Sequence, residues 1–362
     1  MIEYENLKKS NQALYGEFQE SFEDFLSSGW YILGQNVSIF EKKFSDFCNT
    51  KYCIGVASGL DALILSIDAF NFPKGSEIIV PSNTYIATIM AIVKNGYKPV
   101  LVEPDINTYN IDTNKIEEKI NSNTVAILVV HLYGKMCNMK DILLLSETHN
   151  LKIIEDAAQA HGAKFANKMS GTFGVGCFSF YPTKNLGALG DAGAVTCNDE
   201  DFSNKIKSLR NYGSSKKYYN DHLGYNSRLD EIQAGFLSIK LDILDKITDH
   251  KRKLANLYLS NLDDKFIKPV VENNYFDVYH IFNVRHQNRD ELKQYLLENY
   301  IGTEIHYPVS PNKQKFMFNI ASEDYPISEE IHKTTISLPI SYFHTEADIL
   351  EVCDAMNSWK GY

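Results

Sequence analysis

At 362 residues, with 44% hydrophobic and 23% charged residues, the chain has material for a large core domain and a smaller lobe, and its soluble globular composition excludes a disordered tail or a collagen-like repeat. Its formal charge of -10, from 36 Lys+Arg against 46 Asp+Glu, argues against a nucleic-acid binder, whose affinity rests on neutralising phosphates, while leaving room for one local anion pocket. Six cysteines without a C-x-x-C pair suggest neither a metal site nor a disulfide framework, and with no run of roughly 20 apolar residues and no signal-like start in MIEYENLKKSNQ, no membrane association and a cytoplasmic location are expected.

Residues 1–30 read as an N-terminal segment, 31–250 as a large domain and 251–362 as a small one. From Lys51 to Cys197, β-branched runs alternate with helical patterns, as in a mixed or mostly parallel sheet covered on both faces. The strands fall at Tyr52–Ala57, Glu77–Pro81, Lys98–Val102, Thr124–His131, Lys152–Asp156, Val175–Phe180 and Gly193–Cys197. Helices fill the gaps at Asp61–Phe70, Ala87–Asn95, Thr113–Ile120, Met139–His149 and Glu200–Asn211. The loop Tyr212–Asn226, rich in Gly, Ser, Lys and Tyr, is too polar for a buried connection and marks a functional candidate. After Arg228, apolar residues at three-to-four spacing run through Leu257 as one long linker helix. A strand at Val278–Val284, a charged helix at Asp290–Asn299 and a closing helix at Glu346–Trp359 make the small lobe α+β.

Chemistry concentrates in two stretches. In GCFSFYPTKNLGALGDAG an apolar strand ends in a loop of small residues carrying one lysine, Lys184, which alone would read as a solvated surface charge. In IIEDAAQAHG a strand places Asp156 at its carboxyl end, the edge where open α/β sheets bind ligands; alone, it would read as a helix cap. Together they supply what pyridoxal phosphate requires: an amine for a Schiff base and a carboxylate that keeps the pyridine nitrogen protonated. The cofactor's phosphate needs amides and hydroxyls at a helix start; VASGLDA offers Ser58, Gly59 and Leu60 after a strand, and Ser179 adds a hydroxyl.

With ASGLDAL, PSNTYIAT, HLYGKMCNM, IIEDAAQAHGA, FSFYPTKNLGALGDAGAV, GYNSRLDEIQAG and GTEIHYP in order, the chain resembles the DegT/DnrJ/EryC1/StrS sugar aminotransferases from about residue 30 to 340. The resemblance implies a type I pyridoxal-phosphate-transferase fold, similar to aspartate aminotransferase, and a homodimer with shared active sites. It implies Lys184 as Schiff-base lysine and general acid/base, Asp156 at the pyridinium nitrogen, Gln159 near the phenolic oxygen, and Tyr85 stacked on the ring. It further implies that Ser58, Gly59 and Ser179 hold the phosphate and that Asn226 reaches the neighbouring subunit's site. Seen alone, Tyr85 is a core aromatic and Asn226 an ordinary turn residue.

For an acidic protein to take a nucleotide-diphosphate sugar, cations must gather locally. Lys216 and Lys217, with Tyr219 beside them, are the candidates by resemblance, though each lysine alone fits a solvated loop; Tyr181, His306 and Tyr307 are candidates for the sugar side, and His306 reads equally as a structural histidine. The expected reaction moves an amine from glutamate to a keto sugar, with C3 of a thymidine-diphosphate-linked 3-keto-6-deoxyhexose ahead of C4 of a related thymidine- or uridine-diphosphate 4-keto sugar. Such amino sugars feed surface polysaccharides, including lipopolysaccharide O-antigen, and antibiotics. A fold relative without chemistry, acting as regulator or scaffold, is disfavoured because lysine, aspartate and glutamine are all present.

Overall fold

The computed structural model describes every residue except Ser322 and Tyr362. Seven strands form the main sheet: β1 (Tyr52–Val56), β2 (Glu77–Pro81), β3 (Lys98–Val102), β4 (Thr124–Val130), β5 (Lys152–Asp156), β6 (Val175–Ser179) and β7 (Gly193–Cys197). Their order is β1-β7-β6-β5-β4-β2-β3. Only β7 runs against the rest, pairing antiparallel with β1 and β6, while β6, β5, β4, β2 and β3 pair in parallel. Because helices cover both faces, β2 and the last five residues of β4 are buried throughout, which is why they read as continuous apolar runs rather than alternating ones. The carboxyl ends of β1, β5 and β6 consequently open on one edge, joined there by the start of β7.

The strand assignments hold to within one residue at either end, and the helices Gly59–Phe70, Ile86–Lys94, Met139–His149 and Glu200–Leu209 stand where expected, with ends shifted by two residues at most. Other segments differ. Helices Tyr15–Ser28 and Gln35–Cys48 lie where no element was assigned; the second buries Val37, Phe40, Phe44 and Cys48 at helical spacing, and each ends at a left-handed residue, Gly29 or Asn49. The expected helix Thr113–Ile120 is two short 3-10 turns, Thr113–Lys115 and Glu117–Lys119, because Ile116 and Ile120, its only apolar residues, give too short a stripe to hold a longer helix. The long linker is broken into Glu231–Leu241 and Leu244–Asn261, Ile243 between them leaving helical geometry at φ -111 and ψ 4. The strand expected from Val278 begins only at Phe282, because the amides of Val278 and Ile281 donate to Gly134 and Tyr133 of the large domain at 3.0 and 3.3 Å.

The small lobe pairs β8 (Phe282–Arg285) with β9 (Thr335–Leu338), flanked by Arg289–Glu298 and Glu346–Ser358. Its core joins Leu254, Tyr258, Phe282, Leu292, Ile336 and Val352, with Ile2 packed in from the amino-terminal segment.

Candidate active site

The anion-ready end of the site is built by backbone approach. Ser58 caps the helix Gly59–Phe70, its hydroxyl accepting from the Asp61 amide at 3.1 Å, so that the first-turn amides of Gly59 and Leu60 precede the helix's own ladder. A Cβ on Gly59 would lie 2.5 Å from Cβ of Ser179, and one on Gly193 would lie 2.3 Å from the Ser58 carbonyl. Only glycine lets β6 and β7 close on the helix start and bring the Ser179 hydroxyl to those amides.

One strand over, Asp156 ends β5 between Val130 and Cys177 of its neighbours and is 7% exposed. Burial raises the pKa of its carboxyl; bonds from the Thr88 hydroxyl at 2.8 Å and the Ala158 amide at 3.2 Å, together with the charge of Lys184, oppose that rise. No ion-pair partner holds it among the described residues. A buried carboxylate in this state fits a ligand that brings its own cation.

Lys184 lies on the loop between β6 and β7. Its amide donates to Tyr181 at 2.8 Å, Ala188 donates to Phe180 at 2.8 Å, and the Asn185 side chain donates to the Val278 carbonyl at 3.0 Å. Loop and crossing segment are thus locked together. Burial lowers the Lys184 pKa to about 8, against the pull of Asp156. Each group responds to the other's charge, so the two lie near one another, while the amine makes its own contact with His280 Nε2 at 3.4 Å.

Aromatic and amide groups wall the opening. Gln159 accepts from the Tyr133 amide at 2.6 Å and donates to the Tyr307 hydroxyl at 3.0 Å, which fixes its amide orientation. Tyr85, half-exposed, meets Tyr307 at 5.2 Å between ring centroids, leaving a ring face free for stacking. His306 is held by Ser337 at 2.9 Å and its carbonyl accepts from the Tyr133 hydroxyl; burial lowers its pKa to about 4, so its ring is neutral. Tyr181 is half-exposed beside the lysine loop.

The structure therefore gathers Ser58, Gly59, Leu60, Ser179, Asp156, Lys184, Gln159, Tyr85, Tyr307 and His306 along one edge. The substrate-loop residues behave differently. Ser214–Lys216 and Tyr219–Asn220 form an exposed hairpin in which Lys216 lies over Tyr219 and Lys217 over Tyr218, at 5.7 and 5.1 Å. Asn226 donates to the Tyr212 hydroxyl at 2.8 Å within the same loop. Sequence reasoning missed Thr88, Tyr133 and His280. A threonine one turn into a helix and a histidine in an expected strand carry no local signal; only the crossing of Val278–Ile281 onto the large domain gives His280 a role.

A group fitting this cavity needs a phosphate for the helix start, a flat ring for Tyr85 and Gln159, a basic ring nitrogen for Asp156 and an electrophile for Lys184, and pyridoxal phosphate carries all four. Fold and site define a pyridoxal-phosphate-dependent aminotransferase. The chain belongs to the DegT/DnrJ/EryC1/StrS aminotransferase family, whose pattern matches residues 12–357. It is 52% identical over 364 aligned residues, all of both chains, to the dTDP-3-amino-3,6-dideoxy-alpha-D-galactopyranose transaminase of Aneurinibacillus thermoaerophilus. A crystal structure of DesV from S. venezuelae in complex with a ketimine intermediate superposes with TM-score 0.97 at 38% identity, covering 99% of this chain and 98% of that one. The ntda structure from Bacillus subtilis with bound cofactor pmp superposes with TM-score 0.91 at 25% identity, covering 98% and 84%.

Proposed function

We propose that the protein moves an amino group from glutamate to C3 of a dTDP-linked 3-keto-6-deoxyhexose, giving a 3-amino-3,6-dideoxyhexose, and that it does so as a homodimer. The observation that carries the reading is that Lys184 and Asp156, each within reach of the other's charge, stand at neighbouring strand ends beside the helix start at Ser58. The 52% identical relative, by the sugar in its name, supports position C3.

When bound, pyridoxal phosphate supplies a carbonyl that accepts amines and a cationic ring that takes up electrons from the bond being broken. Lys184 would hold the cofactor through its amine. With its amine free, Lys184 would carry the proton to and from the substrate carbon; an amine with a pKa near 8 rather than 10.5 is partly neutral at cellular pH and can take that proton. Asp156 keeps the ring nitrogen protonated, and its own burial makes that charge pair strong. Gln159 directs its amide to the phenolic oxygen, Tyr85 fixes the ring plane, and Ser58, Gly59, Leu60 and Ser179 grip the phosphate. Asn226 of the partner subunit completes the phosphate site, while Lys216, Lys217 and Tyr219 of that loop meet the sugar's diphosphate, and Tyr181, His306 and Tyr307 face the sugar.

The test is a panel of thymidine- and uridine-diphosphate 3-keto and 4-keto sugars with glutamate as donor, the product position set by NMR. Amination at C3 of the thymidine-linked 3-keto sugar is expected. Turnover confined to a 4-keto sugar overturns the regiochemistry, and no conversion of the bound cofactor by glutamate overturns the choice of donor.

A further inference from the structure

His280 stands against the amine that does the chemistry, yet neither the cofactor's needs nor the substrate's account for it. It is 9% exposed, its Nε2 is 3.4 Å from Lys184 Nζ, and its Nδ1 has no hydrogen-bond partner. A neutral imidazole that accepts from Lys184 through Nε2 must carry its own hydrogen on Nδ1. Leaving that buried N–H unpaired costs free energy and asks for a reason.

The backbone around the ring repeats the point. Tyr279, immediately before it, takes φ 43, a left-handed conformation that a bulky residue adopts only under constraint. The constraint is visible: Val278 and Ile281 are hydrogen-bonded to the large domain on either side. The Lys251 amine donates to the His280 carbonyl at 3.0 Å and to Asn185 Oδ1 at 2.8 Å, and Asn185 donates in turn to the Val278 carbonyl at 3.0 Å. Asn185 is the residue after Lys184. A single buried clamp therefore sets the imidazole and the catalytic loop relative to each other.

We propose that His280 is a positioning residue: by accepting one hydrogen of the Lys184 amine through Nε2, it fixes the amine's rotation and aims the lone pair at the reacting carbon. This rests on the reading of Lys184 as the proton-carrying base. The charged and titratable groups facing the pair are Asp156 from β5, Lys251 from the helix Leu244–Asn261, His161 after β5 and His306 before β9. Burial holds all three histidines uncharged, so His280 acts as an acceptor and not as a proton store.

The apoprotein tests this without the cofactor's chemistry. Lysine labelled with 13C at Cε, with the Lys184 signal assigned by its loss in Lys184→Ala, reports the titration of that one amine. Losing an acceptor destabilises the ammonium, so His280→Leu shifts the Lys184 midpoint down by about one pH unit. Gln places its amide oxygen where Nε2 stands, whereas Asn reaches only the Nδ1 position, so His280→Gln titrates like the native protein and His280→Asn like the leucine variant. In single turnover on the loaded enzyme, the leucine and asparagine variants lose about 10- to 100-fold in proton-transfer rate with nucleotide-sugar affinity unchanged, and Gln restores the rate. Identical Lys184 midpoints in native, Leu and Asn proteins, or equal rates in Gln and Asn, overturn the proposal. Activity surviving in Lys184→Ala instead sinks the base assignment itself, so the two failures are distinguishable; should His280→Leu misfold, the Gln and Asn pair still decides.

Discussion

Replacing Lys184 by methionine tests whether the site stores free energy for function. In the folded apoprotein the amine is enclosed and its pKa falls from 10.5 to about 8, with burial as the leading cause. At about 1.4 kcal/mol per pH unit this amounts to ~3 kcal/mol of charged-state penalty, which the partial exposure of the stem trims to about 2 kcal/mol. The sign follows from proton binding. Below pH 8 the lysine is charged in both states and the fold bears the full cost; between about 8 and 10.5 the unfolded chain keeps a proton that the folded chain has shed, so stability rises with pH and the cost disappears. Methionine keeps the stem's packing and removes the charge. With roughly 2.1 cal/mol/K of unfolding entropy per residue, the Lys184→Met apoprotein melts about 3 °C above the native apoprotein at pH 7, and the gap closes by pH 10.5. Thermal melts followed by circular dichroism measure it. A variant that melts at or below the native temperature at pH 7, or a gap indifferent to pH, refutes the reasoning.

Asp156→Asn removes the charge that holds the ring nitrogen's proton while keeping the shape, so single-turnover transamination falls about 100-fold or more, the loss of a charge-assisted bond worth roughly 3 kcal/mol; a loss under about 3-fold, followed by stopped-flow absorbance, contradicts the role. Gly59→Ala forces a carbon to within 2.5 Å of Ser179 Cβ, and cofactor affinity measured by fluorescence falls about 10-fold or more. If Asn226 acts in the partner's site, mixing inactive Lys184→Ala and Asn226→Ala proteins under subunit exchange restores about a quarter of native activity, because half the dimers then hold one intact site; no recovery despite mass-spectrometric evidence of exchange places Asn226 in its own subunit's site.

Much of this architecture was written locally. Strands such as β2 and β4 are buried on both faces, so their apolar runs stand out without any knowledge of the fold, and Lys152–Asp156 shows both its length and its acidic end. Lys184 and Asp156 were legible as a pair because the chemistry needs both and the topology of parallel strands brings their ends together. What stayed hidden depends on contacts distant in sequence. The break at Ile243 interrupts a continuous apolar pattern because the second helix turns to serve the small lobe's core. The helix Gln35–Cys48 carried its apolar spacing in plain view, but no motif drew attention to it. Thr88 and His280 gain their roles only through Asp156 and Lys184, 68 and 96 residues away.

Reduction of the native holoenzyme with borohydride, followed by proteolysis and mass spectrometry, tests the central assignment most directly. A phosphopyridoxyl group on the peptide bearing Lys184, and on no other lysine, is the predicted result. The same group on Lys251 or elsewhere, or protein that takes up the cofactor without a reducible link, contradicts it.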